Sequence, residues 1–328
     1  MTTKLRTKDV ILVLLAILVL ICISKPASAI EGGETAFGEN VSAIIFVDAS
    51  GKPIFNDCTA VVVAPRLAVT AKHCLTSTSP LFSDPGAPVN FPLRIAEPGI
   101  DLKESVSSSL ILKVVTTPGD FQAYEDDISI LILKSEVVTP TTIRIATRED
   151  LARLSQSGAT VITYGYGTDS KGKNDGLPKK IRSRLMGVEK DSRAWKASVP
   201  SATYRHCAQD SGGPSYAIED GVMFYLGPLS ASNAPGCMHN QYIPNNPYVY
   251  GGSSLGHFSH LLAEAEAELA SILKKELADQ AAESAKATPT SRVTVRTPTK
   301  SIVCRQGLTR RIVTAVKPKC PLGFRLVR

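Results

Sequence analysis

Residues 207–214 read Cys-Ala-Gln-Asp-Ser-Gly-Gly-Pro. The run places the hydroxyl of Ser211 on a sharp turn next to two glycines. Small neighbours let a carbonyl group approach the Ser211 Oγ and the adjacent backbone N–H groups. A serine hydroxyl is a weak nucleophile at neutral pH, so such a serine needs a base to accept its proton and a third group to orient that base.

Two further stretches contain the residue types that a nucleophilic serine requires. Residues 68–74 form an apolar, strand-like run that leads to His73. Residues 126–133 place Asp126 and Asp127 at the start of an apolar strand. A histidine can accept the proton of a serine hydroxyl, and a carboxylate can hold that histidine in the required tautomer.

In this order, the three stretches resemble the trypsin-like serine proteases, whose fold is that of chymotrypsin. The resemblance covers roughly residues 30–261. It implies that His73 is the general base, that Asp127 orients it, and that Ser211 attacks the scissile carbonyl of a protein or peptide substrate. Asp126 is the other candidate acid, but Asp127 directly precedes an Ile-x-x-Leu strand, as the acid of the family does.

Short apolar runs broken by Gly, Pro, Asn and Asp predict an all-β fold for residues 30–249. The resemblance implies two six-stranded antiparallel β-barrels of the chymotrypsin-like type, with the catalytic residues in the cleft between them. From about Ser259 to about Ala285, apolar residues recur at helical spacing, which predicts a C-terminal helix. We therefore expect a peptidase domain at residues 30–285 that includes this helix.

Residues 1–29 have the pattern of a secretory signal peptide. Basic residues precede an unbroken apolar run at residues 10–23, and Ala-Ser-Ala follows at residues 27–29. The run has 14 residues, whereas a membrane-spanning helix needs about 20. The segment predicts a secreted protein from which Cys22 is removed with the signal peptide.

Cleavage after Ala29 would create an amino terminus that reads Ile-Glu-Gly-Gly. This terminus is similar to the Ile-Val-Gly-Gly terminus of activated family members. The resemblance implies that the ammonium group of Ile30 pairs with buried Asp210, and that this ion pair orders the oxyanion hole and the specificity pocket. We expect signal peptidase itself to make the activating cut.

Without Cys22 the chain has six cysteines, an even number that suits an oxidising compartment. The resemblance implies one disulfide beside the histidine and one that links the nucleophile loop to the specificity pocket, which leaves a local pair in the tail. The three pairs are Cys58–Cys74, Cys207–Cys237 and Cys304–Cys320. No Cys-x-x-Cys or paired-histidine spacing occurs in the sequence, so we predict no metal site and no cofactor.

The carboxyl-terminal segment is strongly basic. Residues 286–300 are rich in Ser, Thr and Pro and predict a linker, and residues 301–328 resemble the short, cysteine-paired β tails of exported bacterial proteins. Residues 292–328 contain ten Lys and Arg and no acid, whereas residues 30–291 carry a net charge of −6. The segment is either a tether to an anionic cell-envelope surface or a solvated tail. We expect no nucleic-acid partner, because the segment has no aromatic platform.

One departure from the family pattern lies in the predicted oxyanion hole. Gln209 replaces the glycine whose N–H, together with that of Ser211, binds the oxyanion. The N–H donor remains, but a Cβ atom restricts the dihedral angles that aim it. The alternative to an active enzyme is therefore a catalytically impaired homologue that acts as a surface-binding protein.

A second departure concerns the substrate-binding pocket. Arg205 occupies the position where trypsin-type enzymes have an aspartate, so it would repel the side chain of a substrate Lys or Arg. Ser232 and Tyr248 align with glycines of the pocket walls. Arg205 and Tyr248 could bind an acidic side chain, or Tyr248 could fill the pocket and admit only small residues. Both alternatives remain open from the sequence.

Overall fold

A computed structural model describes most of the chain from Ile30 onwards. The described residues are 30, 32–48, 53–75, 93–103, 107–118, 124–139, 142–169, 171–189, 191–199, 201, 205–232, 249–286, 300–306, 309–315, 317, 319–320, 322 and 325–327. The predicted signal peptide, the linker residues 287–299, Cys237 and Tyr248 lie outside them. The chain divides into two compact units, Met1–Leu273 and Lys274–Arg328.

The amino-terminal half of the first unit contains a closed antiparallel barrel. Its strands follow the order β2-β3-β4-β7-β6-β5. The strands of this half are β1 (Glu34–Thr35), β2 (Ser42–Val47), β3 (Pro53–Ala64), β4 (Leu67–Thr70), β5 (Arg94–Ala96), β6 (Ser108–Thr116) and β7 (Ser129–Leu133). The predicted first barrel of six strands is confirmed.

Both faces of the central strands of this barrel are buried. In β7, Ile130 and Ile132 belong to one apolar cluster, whereas Leu131 and Leu133 belong to another. Successive side chains of a strand point to opposite faces, so the sequence of a strand that is buried on both faces is continuously apolar. This burial explains the apolar run that follows Asp127.

The second half of the first unit forms a nine-stranded sheet. The order is β14-β15-β11-β10-β9-β12-β13-β8, and β1 pairs with β10. The additional strands are β8 (Arg144–Ile145), β9 (Thr160–Gly165), β10 (Lys179–Glu189), β11 (Ala194–Ser198), β12 (Pro214–Glu219), β13 (Val222–Pro228), β14 (Ala231–Ser232) and β15 (Val249–Ser253). The fold is mostly β as predicted, and the closure of these strands into a second six-stranded barrel stays a prediction.

Two α-helices accompany the strands. Helix α1 (Arg148–Ser157) was not predicted, although Thr147 and Asp150 form a capping box at its start and Gly158 ends it with a φ of 60°. Helix α2 (Ser259–Lys286) is the predicted C-terminal helix. Within the part of the chain that the structure describes, no helix is both long enough and apolar enough to span a membrane.

The second compact unit contains a small antiparallel sheet. Its strands are β16 (Lys300–Gln306), β17 (Thr309–Ala315) and β18 (Arg325–Leu326), in the order β17-β16-β18. A disulfide joins Cys304 to Cys320, with Cα atoms 5.5 Å apart. Small segments rarely bury enough apolar surface to fold alone, so we expect this disulfide to stabilise the sheet.

Candidate active site

The structure brings His73 and Asp127 into direct contact. Strand β4 pairs with β7 so that Thr70 lies opposite Ser129, and His73 and Asp127 sit just beyond this pair. The Nδ1 atom of His73 lies 2.6 Å from Oδ2 of Asp127, and the backbone N–H of His73 donates to Oδ1 at 2.8 Å. Asp127 is fully buried. A proton held on Nδ1 by the carboxylate leaves Nε2 as the basic nitrogen.

Asp126, the alternative acid, lies elsewhere. Its carboxylate is 2.5 Å from the guanidinium of Arg193, and its side chain is 41% exposed. The geometry therefore selects Asp127 and not Asp126 as the partner of His73.

Ser230 is a site residue that sequence reasoning did not identify. Its buried hydroxyl donates a hydrogen bond to Oδ2 of Asp127, the same oxygen that contacts His73. Ser230 comes immediately before strand β14, and the signal available in the sequence was its position in Gly-Pro-Leu-Ser. A hydrogen bond to a buried carboxylate stabilises its charged form and fixes its orientation.

Backbone hydrogen bonds hold the Ser211 loop against strand β3 of the first barrel and against Leu229. The carbonyl of Ser211 accepts a hydrogen bond from the N–H of Thr59 in β3 at 2.8 Å. The next residue, Gly212, donates its N–H to the carbonyl of Leu229 at 2.7 Å. Leu229 directly precedes Ser230, so the serine loop is attached both to the first barrel, which contains His73 and Asp127, and to the segment that contains Ser230.

Gly212 is required for this close approach. A Cβ at this position would lie 2.0 Å from the carbonyl oxygen of Thr59 and 2.2 Å from Oγ1 of Thr70, and its φ is +82°. Thr70 is three residues before His73. Only glycine has the conformational freedom and the small volume that this contact needs.

A disulfide supports the histidine turn. Cys58 and Cys74 are bonded, with Cα atoms 5.9 Å apart, and connect β3 to the residue after His73. The potential metal-ligand atoms of Cys58, His73 and Cys74 lie within 4.8 Å of one another. Because the disulfide consumes both thiolates, the group does not offer the ligands that a zinc ion needs. Cys207 is also disulfide-bonded, and Cys237, its predicted partner, lies outside the described residues.

The structure places Gln209 in the left-handed region, with a φ of 71°. This is the conformation that a glycine adopts without strain and that other residues rarely adopt. The carbonyl of Gln209 accepts a hydrogen bond from Oγ1 of Thr59 at 2.9 Å, and its side-chain Oε1 accepts one from Nδ2 of Asn174 at 2.9 Å. The chain therefore keeps a glycine-like backbone at this position despite the side chain.

Asp210 is fully buried beneath the serine loop. Its two carboxylate oxygens accept hydrogen bonds from the backbone N–H groups of Gly167 and Cys207, both at 2.8 Å. A Cβ at Gly165 or Gly167 would lie 2.0 Å or 2.5 Å from Oδ1 of Asp210, so both glycines make room for the carboxylate. Burial raises the pKa of Asp210 to about 7, although the two N–H donors act in the opposite direction.

Ile30, the predicted partner of Asp210, is a buried residue. Its side chain is fully inaccessible, and its carbonyl accepts a hydrogen bond from the N–H of Gly33 at 2.8 Å. Further along the chain, Glu34 of β1 lies opposite Lys180 of β10 in the strand register. In the full chain Ile30 is joined to Ala29, so its nitrogen is an uncharged amide.

Two of the three predicted pocket residues, Arg205 and Ser232, are described by the structure. Arg205 is buried and Ser232 is half-buried, and Ser232 lies opposite Tyr250 in the strand register. The ring of His206 packs on Tyr250 with centroids 4.2 Å apart. Among the described residues, neither ring nitrogen of His206 has a hydrogen-bond partner, and burial lowers the pKa of this histidine to about 3. Tyr248 lies outside the described residues.

The comparison with protein families agrees with this arrangement. The family model described as Trypsin matches residues 30–250 of the chain. The matched segment contains more than half of the chain and includes every residue of the His73, Asp127 and Ser211 loops. The chain therefore belongs to the trypsin family of serine proteases.

Proposed function

We propose that this protein is an exported serine endopeptidase that cleaves peptide bonds through an acyl-enzyme on Ser211. The observation that carries the proposal is the contact of His73 Nδ1 with the fully buried carboxylate of Asp127 at 2.6 Å. A binding protein has no need for a histidine that is held by a fully buried carboxylate. Domain bounds at residues 30–285, with a linker and a basic tail after them, are part of the proposal.

The mechanism follows from the roles that the geometry supports. Ser211 Oγ attacks the scissile carbonyl carbon while its proton moves to Nε2 of His73. The oxyanion accepts hydrogen bonds from the N–H groups of Gln209 and Ser211. His73 then returns the proton to the leaving amine, and the acyl group stays on Ser211. A water molecule attacks the ester with His73 again as the base, which releases the acid and restores the hydroxyl.

Asp127 acts on His73 in two ways. Its negative charge stabilises the imidazolium that forms after proton transfer, and its position keeps the proton of neutral His73 on Nδ1. Ser230 and the backbone N–H of His73 keep the carboxylate in place.

A fluorophosphonate probe tests the proposed activity. We expect stoichiometric labelling of the secreted protein, because an activated serine displaces fluoride from the probe while the phosphoryl oxygen, which gains negative charge during the attack, lies in the oxyanion hole. The Ser211→Ala variant should show no labelling. A folded protein that starts at Ile30 and does not label would contradict the proposal and favour the catalytically impaired homologue.

The glycine-like conformation of Gln209 favours the enzyme over that alternative. A φ of 71° is a conformation that glycine adopts without strain, so Gln209 keeps a glycine-like backbone and its side chain need not close the site. The impaired homologue is therefore an outcome of the labelling experiment and not a second proposal.

We also propose that the substrate residue before the scissile bond is not Lys or Arg, and that an acidic side chain is the preferred one. Buried Arg205 supplies a positive charge, and adjacent His206 supplies an unpaired ring N–H that could donate to a carboxylate. A small side chain is the alternative if Tyr248 fills the pocket. A peptide library distinguishes the two, and preferred cleavage after Lys or Arg would refute both.

The basic tail is proposed to hold the secreted enzyme at an anionic cell-envelope surface. Lys317, Lys319 and Arg325 of the second unit are exposed, and residues 292–328 contain no acid that could neutralise them. We expect the full chain to bind isolated cell envelopes in low salt and to be released by high salt. If a chain that ends at residue 286 binds the envelopes equally well, the basic tail is not the tether.

A further inference from the structure

The side chain of Gln209 has a defined partner in a distant loop. Nδ2 of Asn174 donates one hydrogen bond to Oε1 of Gln209 at 2.9 Å and another to the carbonyl of Tyr166 at 2.6 Å. Oδ1 of Asn174 accepts a hydrogen bond from the N–H of Gly176 at 2.7 Å. Because the oxygen of this amide faces a donor and its nitrogen faces two acceptors, the orientation of the amide is fixed.

The main chain of Gln209 is held by a second set of hydrogen bonds. Oγ1 of Thr59 donates to the carbonyl of Gln209 at 2.9 Å and accepts from the N–H of Tyr166 at 3.0 Å. The N–H of Thr168 donates to the carbonyl of Ala208 at 2.8 Å. The segment that contains Tyr166 therefore runs beside the serine loop, and Asn174 and Thr59 are both attached to it.

We propose that Asn174 is a positioning residue for the oxyanion hole. Its amide anchors the side chain of Gln209 and so maintains the left-handed backbone that aims the N–H of Gln209 at the oxyanion. This inference rests on the proposed peptidase function, and it explains how a residue other than glycine serves at this position. The side chain of Gln209 makes the left-handed conformation unfavourable, and the same side chain makes the contact with Asn174 that maintains this conformation.

The rest of the serine loop determines what happens without the anchor. Asp210 is fixed by the N–H groups of Gly167 and Cys207, so the residue after Gln209 has little freedom to move. Relaxation of Gln209 to a negative φ must therefore rotate the peptide group between Ala208 and Gln209 and break the hydrogen bond from Thr168 to the carbonyl of Ala208. That peptide group contains the N–H of Gln209, so the relaxation would turn the donor away from the oxyanion.

A double-mutant cycle between Asn174 and Gln209 tests the inference. In the parent protein, Asn174→Ala should lower kcat by about 10-fold to 100-fold with little change in KM, because one oxyanion donor is worth 10²–10³ in turnover. In the Gln209→Gly background, the same change should lower kcat by less than about twofold, since glycine adopts a positive φ without an anchor.

Gln209→Met is the matched control for the side chain. It keeps the Cβ and the length of the side chain but removes the amide acceptor, so its kcat should fall as far as that of Asn174→Ala. Equal losses for Asn174→Ala in both backgrounds would overturn the inference, because they would mean that Asn174 supports only its own loop.

A crystal structure of the Asn174→Ala protein gives a readout that does not depend on activity. We expect a negative φ at Gln209, and a φ that stays near its present value would overturn the inference. A parent protein that fails to react with the fluorophosphonate probe would contradict the proposed function, and the φ of Gln209 in the variant would still decide the role of Asn174.

Discussion

Asp127→Asn should lower kcat by about 10⁴-fold while the protein stays folded. The hydrogen bonds at Asp127 explain the size of the effect. The backbone N–H of His73 can only donate, so the carbonyl oxygen of the new amide must face it, and the NH₂ group then faces Nδ1 of His73. Nδ1 must become an acceptor, which moves the ring proton to Nε2. A protonated Nε2 cannot accept the proton of Ser211.

Asp126→Asn is the matched control for this experiment. The two aspartates are adjacent in the sequence, but Asp126 pairs with Arg193 near the surface and does not contact His73 in the way that Asp127 does. We expect kcat of Asp126→Asn to change by less than about threefold. Steady-state kinetics with one peptide substrate at several pH values would compare both variants, and a greater loss in Asp126→Asn would reverse the assignment.

The stability of the uncleaved chain should fall as the pH rises from about 4 to about 7, by an amount on the order of 4 kcal/mol. Burial raises the pKa of Asp210 in the folded protein to about 7, above the unfolded value of 3.8. Between these two pH values, the folded state keeps a proton that the unfolded state has lost. The free energy of unfolding therefore decreases with pH across this window and loses this dependence above it.

A chain that begins at Ile30 should not show this loss. Its α-ammonium group is positively charged below about pH 8, and an ion pair with Asp210 would stabilise the carboxylate and lower its pKa. Urea unfolding at a series of pH values measures the difference, and amino-terminal sequencing of the secreted protein identifies the natural start. Asp210→Asn in the uncleaved chain should remove the slope. The same slope in both chains would show that Ile30 does not pair with Asp210.

The parts of the fold that follow from local sequence were predicted correctly. Strand β7 and helix α2 follow from patterns within single segments, namely a continuous apolar run and the helical spacing after Ser259, whereas the closed first barrel was expected from the resemblance to the trypsin-like proteases. Helix α1 was missed although its capping box is present, because ten residues between strands give a weak periodic signal.

The sequence indicated the candidate site residues where short motifs define them, and it did not indicate the contacts between distant residues. The stretches around His73 and Ser211 are recognisable as they stand, whereas the contact of Ser230 with Asp127 joins residues 103 positions apart. The Asn174–Gln209 contact spans 35 positions and arises from a loop with no distinctive motif. Such pairs depend on how strands pack, and a single sequence contains no direct record of that packing.

The distribution of the site over two halves of the unit has a consequence for biosynthesis. His73 and Asp127 belong to the first barrel, whereas Ser211 and Ser230 come from the second half, and Gly212 fits against Thr59 and Thr70 only when both halves have met. A chain with only its amino-terminal half folded would have the His73–Asp127 pair without Ser211. Under the proposed function, proteolytic activity would therefore require both halves to be folded, and a nascent or partly folded copy would not digest its neighbours.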